Sequence, residues 1–199
     1  MRIPFSRALQ ILLGGVIFCV GSNIAQSQAR QEVSYDFSPN QFTVLYHRTF
    51  DDYIVQNANG SSSRVELNGV AAEYSWRHFY PFEVIGQASY SLGQPLGQKL
   101  MTFTVGAGYT RQIYRHYFPF ARLTAGMGHT SSSDYQYLQS SETGMALNLD
   151  GGLDINIGDR NRWGVRALEI QNQYLPFGVN NRGSVYWSLG AGAYIRFGK

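Results

Sequence analysis

The feature that most constrains the fold of this chain is a sustained alternation of apolar and polar residues. The segment 102–113 places phenylalanine, valine, alanine, tyrosine and isoleucine on one face, and mostly threonine, glycine and glutamine on the other. The segment 184–197 repeats the pattern over fourteen residues. Successive side chains of a β-strand point to opposite faces, so a period of two over this length predicts strands.

The same alternation recurs along most of the chain and predicts an all-β fold of eight strands. Their expected ranges are 41–50, 64–77, 81–93, 99–114, 117–130, 143–157, 162–175 and 184–197. In the seventh range the apolar face switches between Ala167 and Ile170. A switch of face within one strand predicts a β-bulge there.

One stretch of the sixth range, MALNLDGGLDINIGD at 145–159, also has the oxygen-rich and glycine-rich composition of calcium loops. A calcium loop needs several oxygens that converge from one irregular segment. Here Asp150 and Asp154 instead continue one polar face, opposite Leu149 and Leu153. We therefore predict a strand at this position, with a calcium loop as the alternative, and we expect no metal or cofactor.

The connections between the predicted strands alternate in length. Three are tight, at 77–80, 114–117 and 158–161, and four are longer, at 51–63, 94–98, 131–142 and 176–183. Short turns at one end and longer loops at the other are typical of an antiparallel up-and-down barrel that spans a membrane.

The N-terminal 29 residues have the features of a cleavable signal peptide. Arg2 and Arg7 precede an apolar run from Ala8 to Val20, and a small residue, Ala29, offers a cleavage site. We expect a periplasmic segment at 30–40 and the barrel at 41–199. The chain's single cysteine, Cys19, lies in the apolar run, so the mature protein has no thiol chemistry to offer.

Composition separates a membrane barrel from a soluble domain. Charged residues make up 15% of the chain, against about 25% in soluble domains. Removal of Arg2 and Arg7 lowers the net charge from +3 to +1, and no basic run suggests nucleic acid as a partner. Export, few charges and many aromatic residues predict a β-protein of the outer membrane of a Gram-negative bacterium.

The alternation alone does not say which face is inside. A soluble ligand-carrying barrel of the lipocalin type would put the apolar face inside and the charges outside. Here the polar face is mostly small and uncharged, which suits the interior of an eight-stranded barrel. The apolar face carries aromatic residues suited to membrane interfaces, namely Tyr74, Trp76, Tyr90, Tyr109, Trp163, Trp187 and Phe197. We therefore expect the apolar face to meet lipid.

The charged residues on the polar face are then expected to point into the barrel. Alternation assigns them as Glu73, Glu83, Arg122, Asp150, Asp154, Arg166 and Arg196. Both signs are present, so these side chains can pair across a narrow interior. We interpret them as a structural polar network that closes the barrel, and a gate or ion path is the alternative.

The strand and loop pattern, the stretch WGVRALE at 163–169 and the ending WSLGAGAYIRFGK at 187–199 resemble the small eight-stranded outer-membrane barrels, the OmpA-like transmembrane superfamily. The ending is similar to the strand signal read by the barrel-assembly machinery, with Ile195 and Ala193 two and four positions before Phe197. It departs from the usual form because Gly198 and Lys199 follow. The resemblance implies that outer-membrane lipid, lipopolysaccharide and that machinery are the partners of a monomer.

Some barrels of this kind are lipid A deacylases, so an enzyme is a further alternative. His129, Ser131 and Glu142 have the spacing of the residues in such a deacylase. They lie around the fifth strand, however, whereas that family places them near the last two strands. We expect a structural or surface-interaction barrel and no enzyme; a narrow pore for ions or small solutes and a lipid A-modifying enzyme are the alternatives.

Overall fold

The computed structural model describes residues 38–56, 62–94, 97–114, 116–132, 140–157, 162–177 and 184–198. Alternating residues form eight strands: β1 (Asn40–Gln56), β2 (Ser62–Trp76), β3 (Phe82–Gln94), β4 (Lys99–Thr110), β5 (Tyr117–Ser132), β6 (Ser140–Ile157), β7 (Trp163–Leu175) and β8 (Ser184–Phe197). The predicted signal peptide, residues 1–29, lies outside the described residues. So does the predicted N-terminal segment as far as position 37. No helix among the described residues is long and apolar enough to cross a membrane.

The strands form one closed antiparallel barrel in which each strand pairs with its neighbours in the sequence. β8 pairs with β1 from Asn40↔Phe197 onwards, so no edge strand remains. The predicted up-and-down topology is confirmed. We call the end with the connections 77–81, 111–116 and 158–162 the turn end, and the opposite end the loop end.

The two loop-end connections that were predicted to be longest are shorter than expected. The first spans 57–61 instead of 51–63, and the third spans 133–139 instead of 131–142. β5 and β6 extend further because paired backbone continues through polar residues, where no apolar face marks the strand. β1 extends past an irregularity in pairing between Phe50 and Ile54, which interrupts the alternation. The connections at the two ends therefore differ little in length. The order of the strands defines the two ends, and the lengths of the connections do not.

The predicted irregularity in the seventh strand is confirmed. The pairing of β7 with β8 shifts between Arg166 and Glu169, and its pairing with β6 shifts at the same place. The extra residue changes the phase of the alternation, so Arg166 and Glu169 both have buried side chains although they are three residues apart.

The outer surface of the barrel is an apolar belt. All seven aromatic residues expected at the membrane interfaces are exposed there, between 36% for Tyr109 and 57% for Trp163. On β3 the belt runs from Phe82 to Leu92. Ten residues at about 3.3 Å each, tilted by about 40°, give a height of about 25 Å. That height is typical of barrels that span an outer membrane.

A polar row borders this belt at the loop end. On the outward face of successive strands, the residue after the last belt residue is polar: Arg48, Asn68, Lys99, His129 and Thr143. Arg48 donates a hydrogen bond to Glu66, and both side chains are exposed. The strands therefore continue past the apolar belt into a polar environment.

Candidate functional site: the barrel interior

The seven charged residues that alternation assigned to the interior are all buried. None is more than 2% exposed. They lie in the turn-end half of the barrel, and their strands project them toward a common centre. Six of the seven take part in ion pairs or charge-assisted hydrogen bonds with their neighbours. Asp150 is the exception.

Six side chains form a closed ring of alternating charge, which we call the ion-pair ring. Arg77 donates from Nε to Glu83 at 2.6 Å, and Arg122 donates from Nε to the other oxygen of Glu83 at 2.6 Å. Arg122 also donates from Nη1 to Glu73 at 2.8 Å. Each carboxylate therefore joins two guanidinium groups on different strands.

Arg166 completes the ring on the other side of the barrel. Its Nη1 donates to Glu73 at 2.5 Å, and its Nε donates to Asp154 at 2.7 Å. Asp154 lies 3.7 Å from Nη2 of Arg77, which closes the ring. Arg166 also donates to Glu169 at 2.5 Å. One guanidinium thus contacts three carboxylates.

Neutral and aromatic side chains tie β1, β5 and β8 into the same network. Arg196 donates to Gln41 and Asn156, each at 2.8 Å, and Gln41 donates to Asp154 at 2.9 Å. The guanidinium of Arg196 lies 4.4 Å from the ring centre of Phe118. Those of Arg122 and Arg166 lie 4.2 and 4.3 Å from Phe120. These cation–π contacts fill space that a purely polar network would leave open.

Asp150 differs from the rest of the network. It is 2% exposed, and neither of its carboxylate oxygens has a hydrogen-bond partner in good geometry. It pairs in register with Arg122 on one side and Gln171 on the other. Among the described residues of the turn-end half, five buried carboxylates stand against four buried guanidinium groups. Glu169 and Asp150 lie outside the ring, and of these two only Glu169 binds an arginine, Arg166.

Sequence reasoning missed four members of this half: Arg77, Glu169, Phe118 and Phe120. Arg77 follows the last residue of β2, at the boundary between the predicted strand 64–77 and the predicted turn 77–80, where alternation does not assign a face. Glu169 enters the interior because of the β7 bulge. The bulge predicted in the seventh strand could have indicated this position, because one extra residue turns the following side chains, including Glu169, to the other face.

The middle of the interior holds a layer of neutral polar side chains. Gln87 donates to Glu73 at 3.1 Å and accepts hydrogen bonds from Asn148 at 3.2 Å and Gln171 at 3.1 Å. Thr124 donates to Thr104 at 3.0 Å. These bonds link β2, β3, β4, β5, β6 and β7 above the ion-pair ring.

The loop-end half of the interior combines an apolar cluster with hydrogen-bonded polar pairs, His47 with Ser91 and Thr49 with Ser188. Leu67, Leu100, Ala146, Leu175 and Tyr186 form a buried cluster. Phe177, from the connection after β7, packs against this cluster. A Cβ added at Gly144 would collide with the Phe177 ring, and one at Gly128 would contact both Phe177 and Leu175. Two inward-facing glycines thus make room for the ring.

The histidine, serine and glutamate with deacylase-like spacing do not share one face of the wall. His129 pairs in register with Thr143, and Thr130 pairs with Glu142, so Glu142 lies on the opposite face. The ring of His129 is 2.7 Å from the Thr143 hydroxyl and 3.5 Å from that of Ser141. Of the stretch with the composition of a calcium loop, residues 145–157 are part of β6, and residues 158 and 159 lie outside the described residues. The described residues contain no group of three or more His, Cys, Asp or Glu side chains placed to hold a metal ion.

Comparison with solved structures identifies the fold. Neisserial surface protein A superposes with a TM-score of 0.59 at 14% identity, over 80% of this chain and 98% of that one. Ail, the attachment invasion locus protein of Yersinia pestis, gives 0.50 at 16% identity, over 80% and 99%. No protein-family model matches the chain. No curated protein matches it either. The chain has the fold of the small eight-stranded outer-membrane β-barrels.

Proposed function

We propose that the mature protein is an integral outer-membrane barrel with a closed interior, which acts as a structural or surface-interaction protein. The observation that carries this proposal is the filling of the interior from both ends. Arg122 and Arg166 are fully enclosed at the turn end, and Leu67 and Leu175 are fully enclosed at the loop end. A solute path would have to displace both layers.

The apolar belt supports the membrane location. Side chains such as Phe103, Leu123 and Met127 are more than 60% exposed, which is costly in water and favourable in lipid. In this proposal the signal peptide exports the chain, and the barrel-assembly machinery inserts it through β8, which ends at Phe197. The loop end then faces the outside of the cell.

Planar-bilayer recording tests the closed interior against the narrow-pore alternative. The refolded protein is first checked for a shift in gel migration between unheated and heated samples, which shows that a barrel has formed. We expect no reproducible conductance steps from the folded form. Stable single-channel steps from a folded sample would contradict the proposal and favour a pore.

We propose that the protein does not modify lipid A, because Glu142 lies on the opposite face of the barrel wall from His129 and Ser131. Incubation of the folded protein with lipopolysaccharide, followed by mass spectrometry, is expected to show no released fatty acid. Release that a His129→Gln variant abolishes would contradict this statement.

A further inference from the structure

A furrow crosses the apolar belt obliquely, from β1 to β6. Its volume is about 610 Å³. It follows two adjacent rows of outward side chains, and within each row the members pair in register from strand to strand. The lower row is Val44, Ala72, Ala88, Phe103 and Met127. The upper row is Val70, Tyr90, Met101, His129 and Thr143. Ala72 and Ala88 form its floor because they are the smallest side chains between larger neighbours.

The furrow climbs through the belt because the strands tilt. Val44 lies four residues after the first residue of β1, whereas Thr143 lies fourteen residues before the last residue of β6. The five steps between strands span about 24 Å, and a strand tilt of about 40° makes the rise about 15 Å. This rise is about half of the ~30 Å hydrocarbon core. The rise of the furrow is therefore about equal to the thickness of one leaflet.

The two ends of the furrow differ in chemistry. Its lining contains no Asp, Glu, Lys or Arg, and the residues over most of its length are apolar. Its upper end is closed by the hydrogen-bonded pair His129 and Thr143. In the next row toward the loop end, Lys99 pairs in register with Ser131, and Ser131 pairs with Ser141. A cation and several hydroxyl groups thus stand directly above an apolar channel.

We propose that this furrow binds one acyl chain of a phosphorylated glycolipid of the outer leaflet, with the headgroup on Lys99, His129 and the neighbouring hydroxyls. The inference rests on the outer-membrane location given under the proposed function. The ammonium group of Lys99 suits a phosphate, and the serine and threonine hydroxyls suit a sugar. An acyl chain along Ala72 and Ala88 fills a depression that the protein leaves open.

The test is native mass spectrometry of the folded barrel released from nanodiscs that contain hexa-acylated lipid A and dioleoylphosphatidylglycerol. The wild type is expected to retain one lipid A molecule. Ala88→Trp fills the floor of the furrow and is expected to lower retention roughly tenfold, since loss of contact with even two methylene groups has that effect. Ala107→Trp makes the same change on β4, nearer the turn end and outside the furrow lining, and is expected to retain lipid A.

Lys99→Gln is expected to lower lipid A retention while leaving the apolar furrow intact. Equal retention by Ala88→Trp and the wild type would overturn the proposal. So would retention of phosphatidylglycerol in preference to lipid A, or loss of all lipid by the wild type at the mildest release conditions, which would indicate ordinary annular lipid. Each variant is first shown to be folded by gel migration, so that a failure of the lipid site is distinguished from a failure of the barrel.

Discussion

The turn-end half of the interior is filled by an ion-pair network, whereas the loop-end half contains an apolar cluster beside a few neutral hydrogen-bonded pairs. In the turn-end half, Arg166 and its neighbours are held by charge-assisted bonds of 2.5–2.8 Å to named partners. In the loop-end half, Phe177 and Leu175 are held by shape, in the space left by Gly128 and Gly144. The first arrangement depends on pairing and the second on volume. The two halves should therefore respond to different substitutions.

The largest loss of stability is expected from Arg166→Met. Removal of this guanidinium leaves Glu73, Asp154 and Glu169 without their shared partner in a buried site. Breaking a buried ion pair on one side typically costs about 3–5 kcal/mol. Urea unfolding in detergent micelles, followed by tryptophan fluorescence, measures the change.

The matched control is Arg48→Met, which removes an arginine from the exposed pair with Glu66. A much smaller effect is expected there, because exposed pairs are screened by solvent. If the two variants lost similar stability, the ion-pair ring would not be the feature that holds the turn-end half.

Two substitutions on β6 compare a carboxylate of the ion-pair ring, Asp154, with a carboxylate outside it, Asp150. Asp154→Asn weakens the bonds with Arg166 and is expected to cost about 1.5–3 kcal/mol in unfolding free energy. Asp150→Asn removes a buried charge that has no hydrogen-bond partner, so it is expected to leave stability unchanged or to raise it. Thermal unfolding of both variants in the same micelles provides the comparison. The reverse order of stabilities would show that Asp150, not Asp154, is the structural carboxylate.

In the loop-end half, Gly144→Ala is expected to displace the Phe177 ring. Overpacking of this kind typically costs about 1–3 kcal/mol. Gly151→Ala, on the same strand, is the control: the nearest atom to the added Cβ is a backbone oxygen at 3.7 Å. Chemical unfolding of both proteins checks the difference. Equal stability of the two variants would mean that Phe177 is not held by the shape of the wall.

The period-two alternation of the sequence predicted which face of the barrel wall most side chains occupy. Alternation placed Asp150 and Arg196 in the interior and Trp163 on the outside, because one face of each strand differs from the other in polarity. It did not locate the loop end of β6, where both faces are polar, or that of β1, where the pairing shifts between Phe50 and Ile54 and interrupts the alternation. It also missed Glu169, because one extra residue in β7 reverses the phase for every residue after it.

The contacts between interior side chains could not be predicted from the alternation. Alternation assigns a side chain to a face but not to a partner across the barrel. Asp154 binds Arg166, whereas Asp150, on the same face of β6, has no well-aligned hydrogen bond to an arginine. Pairing depends on the height of each residue along tilted strands, and that height is fixed only by the register of the closed barrel.

The central claim, that the interior is closed by two separate layers, is tested most directly by thiol labelling in nanodiscs, which leave both barrel ends open to water. The chain's only cysteine is Cys19, so a barrel without the signal region offers no background. Thr104 lies in the neutral layer between the two halves and is 0% exposed. We predict that Thr104→Cys resists a water-soluble maleimide while the exposed Lys99→Cys reacts rapidly. Rapid labelling of Thr104→Cys in the folded barrel would contradict the account.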